Sequence, residues 1–597
     1  MTLPTAAPGL ALSSAERALL AEIDATRMWR DLEFLCGFDR TSGTDGERRA
    51  MDYIAQTLRA DGIHVEAHEF DAYLSYPHAG TIAVLSGDGL PAEILAKTRA
   101  FSGNTPPDGV AGEVVYVPGG HDLFRDTETH RRLETAAIAG RIVLSEAGSR
   151  RNMQAAQEGG ALAYLHMWPS DEDVIHEGIV SPVWGAPTPE TSGAFPRIPI
   201  LSITRASGEA LRAALNRGPV RLRVHSRTET GWRRVVLPVA TIAGATPDFV
   251  LFSGHVDSWH LGATDNATGN VVTMEVARLM HAHRDRLRRG VRCAFWPGHS
   301  TGRYAGSSWY ADRFWHDLYE HCVLHINCDS PGVEGATEYS PVTASAEAAA
   351  FGVALIKELT GQEVDWERPV RAGDQSFWGA GVPTLFMGLS VRPKGQRWAV
   401  GGSGLGWWWH TEADTIDKVS RDVLMLDAKI YLLATHRMAS GHVLPLRVAG
   451  AVAELREVAA ELARAVGGRF DLSEVSAALE RLHTTAAAFD EVAADVADSA
   501  HSDGARVTIV SRAQRAAVRA LVQLAYTSGR PFEHDPAVPQ LPLPALQEVR
   551  DLAALPDDAH ASRLLHTRLV RRRNRVVFGV RTATEALESA SIELGRR

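Results

Sequence analysis

Apolar residues in the first part of the chain recur at helical spacing and then begin to alternate. Met51, Ile54 and Leu58 mark one helix face, and the segment from Ile63 to Phe70 reads as a strand, so Ser13 to Glu69 is expected to run helix, loop, helix, strand. Between Tyr76 and Pro238 the texture changes to short strands broken by Gly and Pro. Within it, "IAGRIVLSEAGSRRNMQAAQEGGALAYLHMW" predicts a strand, a polar loop, a helix from Met153 to Glu158 and a second strand, and "RIPILSITRASGEALRAAL" repeats the strand-then-helix order. This stretch reads as an inserted small α/β module.

A different regime starts at "PDFVLFSGHVDSW". Apolar strands (Phe249 to Ser253, Val291 to Trp296, Val323 to Cys328, Thr384 to Met387) alternate with long helices (Asn270 to His283, Ala346 to Leu359, Val423 to Met438). Such alternation predicts a doubly wound, mostly parallel sheet covered on both faces, with ligands at the carboxyl ends of its strands. From Leu444 onwards the strands stop. Val452, Leu455, Ala459, Leu462 and Val466 fall at three- and four-residue steps, and "DLSE" (Asp471 to Glu474) resembles a capping box ahead of Val475, Leu479 and Leu482. A Pro-rich connection from Pro531 to Pro544 precedes two further helices, so the C-terminal region is expected to be a helical bundle. Its apolar stripe is most simply core, with helix-mediated dimerisation as the second reading.

At 597 residues the chain exceeds what one hydrophobic core usually supports, and its 45% apolar and 22% charged composition is that of a soluble globular protein. A net charge of -10 argues against a general nucleic-acid binder. The basic run Arg568 to Arg575 reads as a solvated helix face or interface patch. The N-terminus lacks a signal-like pattern and no segment approaches the roughly 18 apolar residues of a membrane span, which makes a cytoplasmic location, without membrane or nucleic-acid partners, the expectation. Cys36, Cys293, Cys322 and Cys328 lie mostly within apolar runs and read as buried free thiols.

The chemistry-bearing residues gather at predicted strand ends. "SGHVDSWHLGATDNATG" places His255 and Asp257 just after an apolar strand and Asp265 in a Gly-punctuated loop; "LHINCDSPG" ends another strand with Asp329; "GWWWHTEADTIDKVS" sets His410 in a loop before a helix. Imidazoles and carboxylates are the ligand set of hydrolytic zinc sites, which polarise a carbonyl and lower the pKa of bound water. Each residue alone has an ordinary alternative, a loop histidine or a helix cap. Their recurrence at strand ends of one α/β domain is what points to a metal.

These segments, with "RTSGTDGERRAMDYI", "GRYAGSSWYAD", "GDQSFWGAGVPTLF" and "HTEADTIDKV", resemble the M28 family of zinc exopeptidases, in layout most like the glutamate carboxypeptidase II and transferrin receptor branch. The resemblance implies a peptidase-like domain from residues 1-75 and 236-445, a protease-associated (PA)-like insert at 76-235 and a helical dimerisation-like domain at 446-597, hence a homodimer. It makes His255 and Asp329 ligands of one divalent metal, expected to be zinc, Asp265 a bridge and His410 a ligand of a second. Asp257 resembles the carboxylate that orients the neighbouring histidine.

The family's Trp-x-x-Glu-Glu-x-Gly supplies a general base and then a ligand, whereas here Trp296 to Gly302 reads "WPGHSTG" with His299-Ser300 in place of both glutamates. A serine hydroxyl is a poor substitute for a carboxylate ligand, while histidine suits either a base or a ligand. Three readings stay open at this point. One metal is held by His255, Asp265 and Asp329 with His299 as base; or His299 joins Asp265 and His410 in a second site; or the protein is a metal-free binding scaffold. Ser300, Arg303, Trp409, Asp374 and Gln375 are the expected substrate contacts. The expected activity is metal-dependent hydrolysis of an amide or peptide-like bond in a small molecule or short peptide, with elimination or deacylation as the alternative chemistry; an acidic-peptide preference is not expected.

Overall fold

Helices Ser14–Ala21, Ala25–Leu35 and Asp45–Ala60 open the described chain, the first closed by a capping box between Ser13 and Glu16, the second capped by Asp24. The computed structural model describes residues 12–120, 133, 137–397, 402–498 and 504–595. Ala50, Met51, Ile54 and Leu58 turn the third helix onto the sheet, as their spacing requires.

The central sheet is six-stranded and runs His64–Pro77, Thr228–Ile242, Arg289–Trp296, Thr246–His255, Cys322–Asn327, Thr384–Leu385. The strands from Arg289–Trp296 onward pair parallel, while His64–Pro77 and Thr228–Ile242 pair antiparallel along their whole length. The sheet is thus mostly parallel with an antiparallel flank, three of its five pairings being parallel and two antiparallel. The reason is topological: the chain leaves for the insert at Pro77 and returns at Thr228 beside it, so the two flanking strands must run in opposite directions. Thr228–Ile242 thus belongs to this sheet and begins upstream of residue 236, the expected end of the insert.

Between those strands lies a closed barrel in the order Ala79–Ser86, Glu93–Thr98, Ile200–Ile203, Ala163–Met167, Ile142–Ser145, Val110–Tyr116, Arg221–His225. Ile82, Leu144, Leu165, Leu201 and Leu222 fill its interior. Helix Arg150–Glu158 begins earlier than the apolar pattern indicates, because the Ser149 hydroxyl accepts the Asn152 N–H at 3.2 Å and fixes the start.

Helices Val448–Val466, Ser473–Asp498, Gly504–Tyr526, Val549–Ala554 and His560–Gly595 form the C-terminal bundle. The stripe Val452, Leu455, Ala459, Leu462, Val466 is buried in the same core as the helices that cover the sheet, which supports the core reading of that stripe. "DLSE" does not form the reciprocal box. Its helix starts at Ser473, whose N–H goes to Asp471 at 2.8 Å, while Glu474 takes the guanidinium of Arg581 at 2.9 Å.

Within the basic run, Arg568 and Arg572 pair with Glu548, and Arg573 and Arg575 donate to main-chain oxygens, so the run is spent on packing. All four cysteines are buried and free. No helix among the described residues is long and apolar enough to cross a membrane.

Candidate metal centre and cavity

Parallel pairing is what assembles the site. His255 ends its strand level with Trp296, and the next strand over ends at Asn327, so His255, the His299-Ser300 turn and Asp329 emerge side by side at the carboxyl edge. Asp265 comes from the loop that follows His255, where the Asp265–Asn266 peptide is cis. Asn266 pins this loop to the one carrying Asp329: its amide donates to the Cys328 carbonyl at 2.9 Å, and its Oδ1 accepts from Ser330 N–H at 3.1 Å. Asn270 donates to the carbonyls of His255 (2.9 Å) and Asn266 (2.6 Å). Asp414 does the same for the His410 loop, accepting from Thr264 N–H (2.9 Å) and Asp265 N–H (3.0 Å). These three positioning residues escaped the sequence reading, although "DNATG" contained Asn266, Asn270 follows it directly, and "HTEAD" contained Asp414.

Asp265 lies between the two histidines, one carboxylate oxygen to each. Oδ1 is 3.0 Å from His255 Nε2 and Oδ2 is 3.2 Å from His410 Nε2, while Asp329 Oδ1 stands 3.8 Å from His255 Nε2. His255 Nε2 is buried, and despite this proximity makes no hydrogen bond of ordinary geometry. Burial works against charge on both partners, but the ion pairing outweighs it. Asp265 and Asp329 hold His255 well above the usual imidazole range, and the two histidines hold Asp265 well below the usual carboxylate range. A buried carboxylate shared by two imidazoles, with an orphaned ring nitrogen facing a second carboxylate, is a donor set that fits a hard-to-borderline divalent metal.

His299 occupies the same focus. Its ring stacks on His255 at 3.8 Å between centroids with 13° between planes, and one ligand atom each from His255, His299 and Asp329 lie within 4.8 Å of one another. Asp374 is 1% exposed and meets His299 Nδ1 at 2.6 Å, with Ser307 Oγ–H donating to its other oxygen at 2.7 Å. Burial alone would raise the Asp374 carboxyl, but His299 and Ser307 hold it below its ordinary value. An ionised carboxylate only accepts, so Nδ1 carries the proton and Nε2 is left to act as base or ligand. Asp374 was expected to touch substrate; it instead positions His299.

Asp257 also departs from expectation. His255 Nδ1 donates to the main-chain oxygen of Asp257 at 2.8 Å, and the nearer carboxylate oxygen stands 3.8 Å away. The carboxylate accepts from His299 N–H (3.0 Å), Ser300 N–H (2.7 Å) and Ser42 Oγ–H (2.8 Å). It therefore ties the His299-Ser300 pair to the "RTSG" turn. Arg40, fully buried beside Ser42, donates to the carbonyls of Val256 (2.9 Å), Leu261 (2.8 Å) and Gly262 (2.9 Å).

A cavity of about 360 Å³ opens over this focus, and Asp265, His299, Ser300, Arg303, Trp409 and His410 line it. Gln375 does not; it is fully buried, and its side-chain oxygen accepts from Thr384 Oγ–H at 2.6 Å. Of the indoles, Trp409 and Trp168 of the barrel border the cavity, while Trp408 and Trp366 are fixed in the interior through Thr264 and Ala344. The barrel also contributes Arg150, which the sequence had not singled out. Arg150 Nη2 and Arg303 Nε and Nη2 are buried without a partner. Burial, and for Arg150 then the neighbouring Arg303, pushes both guanidiniums down.

Residues 238–433 match the sequence profile of peptidase family M28. Over this stretch the chain is M28-like. The chain is 27% identical over 412 residues to the probable lipoprotein aminopeptidase LpqL of Mycobacterium tuberculosis, covering 64% of this chain and 78% of that protein. It is 28% identical over 302 residues to carboxypeptidase Q of Bos taurus, covering 45% of this chain and little more than half, 57%, of that relative. In fold it is similar to BSAP, a zinc aminopeptidase from Bacillus subtilis, with a TM-score of 0.52 at 19% identity over 70% of this chain and 95% of that one. These matches support a hydrolase, and the matched stretch contains His255, Asp265, Asp329 and His410, together with the His299-Ser300 pair.

Proposed function

We propose that this protein is a metal-dependent hydrolase of amide or peptide-like bonds in small, carboxylate-bearing substrates, with His299 standing where the M28 family has its glutamate base. The observation that carries the reading is the meeting of His255, Asp265, Asp329, His410 and His299 at one cavity. His255, Asp265 and Asp329 would hold a zinc ion, with His410 on the far oxygen of Asp265. Bound there, zinc supplies Lewis-acid polarisation and acidifies water.

The protein's own residues account for the rest. Asp374 fixes the tautomer of His299 so that Nε2 accepts a proton from water at the cavity face and returns it to the leaving nitrogen. Asp257 holds the main chain of His299 and Ser300 so that this ring stays stacked against His255. Ser300 offers an uncharged hydroxyl and no ligand to offset a second cation, which favours a single tightly held ion.

Substrate class is argued from Arg150 and Arg303. Two buried guanidiniums with unpartnered N–H groups on one cavity are costly unless an anion completes them, and a planar carboxylate suits their geometry. Hydrolysis of matched N-acyl dipeptides with free and amidated C-termini tests this. Arg303→Met should raise KM for the free acid at least about tenfold, the scale of a lost charge-assisted hydrogen bond, and leave the amide unaffected. Equal effects on both would remove the carboxylate from the proposal.

A further inference from the structure

The His410 loop carries an unusual backbone. His410 itself has a φ of 59°, a left-handed conformation that a non-glycine residue does not hold without support. That support comes from the inserted barrel. Glu177 N–H donates to the His410 carbonyl at 2.9 Å, His410 Nδ1 donates back to the Glu177 carbonyl at 3.2 Å, and one residue earlier His176 Nδ1 meets the Trp409 carbonyl at 2.5 Å. The bond from Nδ1 fixes the imidazole tautomer and leaves Nε2 facing Asp265.

The clasp is locked from outside by charge. Lys97 of the barrel reaches Glu177 at 3.0 Å and Glu412, two residues beyond the ligand, at 2.6 Å. His260 adds contacts to Glu177 (3.4 Å) and Glu412 (3.5 Å), so one ammonium sits where two carboxylates and an imidazole from both domains converge. With Lys97 filling it, this cluster acts as a cross-link between the barrel and the metal loop rather than as a second metal site.

We infer that the inserted barrel is a positioning element of the metal centre, holding His410 against the far oxygen of Asp265 through the Glu177 main chain and the Lys97 cross-link. This rests on the metal-dependent reading of the site. On this account the insert does more than wall the cavity: loss of its cross-link relaxes the left-handed turn and withdraws the imidazole that orients the ligand Asp265.

The test is a zinc titration of the metal-stripped full chain against a chromophoric chelator, with wild type, Lys97→Met, Lys97→Arg, His410→Ala and the double variant. Lys97→Met should weaken zinc binding about tenfold, the usual scale for a group that orients a ligand, and Lys97→Arg should restore it. The loss must vanish in the His410→Ala background, because both changes act through one imidazole. Glu412→Gln, changing the exposed end of the cross-link, serves as a second variant, with unfolding temperature reporting that the fold is intact. Unchanged zinc affinity in Lys97→Met, or an equal loss when His410 is already gone, overturns the inference. If His410→Ala itself leaves zinc affinity unchanged, the failure lies in the role of His410 in orienting Asp265, and the positioning role of the insert falls with it, while the zinc site of His255, Asp265 and Asp329 stands.

Discussion

At the scale of single residues, His299 is supported as a proposed base by what surrounds it. A carboxylate base needs no tautomer control, whereas an imidazole does, and the fully buried Asp374 supplies that control at 2.6 Å. Asp374→Asn presents an amide that also donates, so the ring loses the partner that fixes its proton. Steady-state kinetics should show kcat lowered about 10²-fold or more, within the usual span of general-base effects, with zinc content unchanged. Loss of zinc in this variant would instead mark His299 as a ligand. The identities of His255, Asp265, Asp329, His410 and His299 were legible in the sequence because strand-end position and residue type carry their chemistry. The roles of Asp374 and Asp257 were not, because a carboxylate's partner is set by loops that close in three dimensions, and Gln375 proved to be interior glue for the same reason.

Among the elements, the parallel strands were the most readable part of the chain, since strands buried on both faces appear as continuous apolar runs. The antiparallel flank was not readable, because its direction depends on where the insert leaves and returns. Strand Cys322–Asn327 also carries a buried titratable group beneath the site. His325 is fully buried, bonded through Nε2 to Ser253 Oγ at 2.8 Å, and burial pushes its imidazole down to about 4.

Between that value and the ordinary imidazole value of about 6.5, the unfolded chain binds a proton that the folded chain does not. Stability contributed through this residue therefore rises with pH across the window and is lost as pH falls through it. His325→Gln, which keeps a polar group for Ser253, should flatten the dependence of unfolding temperature on pH between about 4 and 6.5 relative to wild type. Parallel curves for the two proteins would show that His325 does not contribute.

Over the whole molecule, the carboxyl edge of the sheet and the loops beyond it supply the candidate metal ligands, the barrel supplies Arg150, Trp168 and the His410 clasp, and the helical bundle shares the sheet's core. Composition and periodicity had separated these three regions along the sequence; what they could not convey is that the barrel closes over the carboxyl edge and completes the site. Arg150 shows why: it lies in a polar loop-to-helix start with nothing local to distinguish it, and only its place on the shared cavity, with Nε bonded to the Ala537 carbonyl and Nη2 left unpartnered, gives it meaning. The account as a whole stands on a zinc ion held by His255, Asp265 and Asp329. The most direct measurement is the zinc content and amide-hydrolysing activity of purified wild-type protein beside His255→Ala. Near-stoichiometric zinc with measurable hydrolysis in wild type, both lost in the variant, is the predicted result. A folded wild-type protein that binds no zinc, or a variant that keeps both, would contradict it.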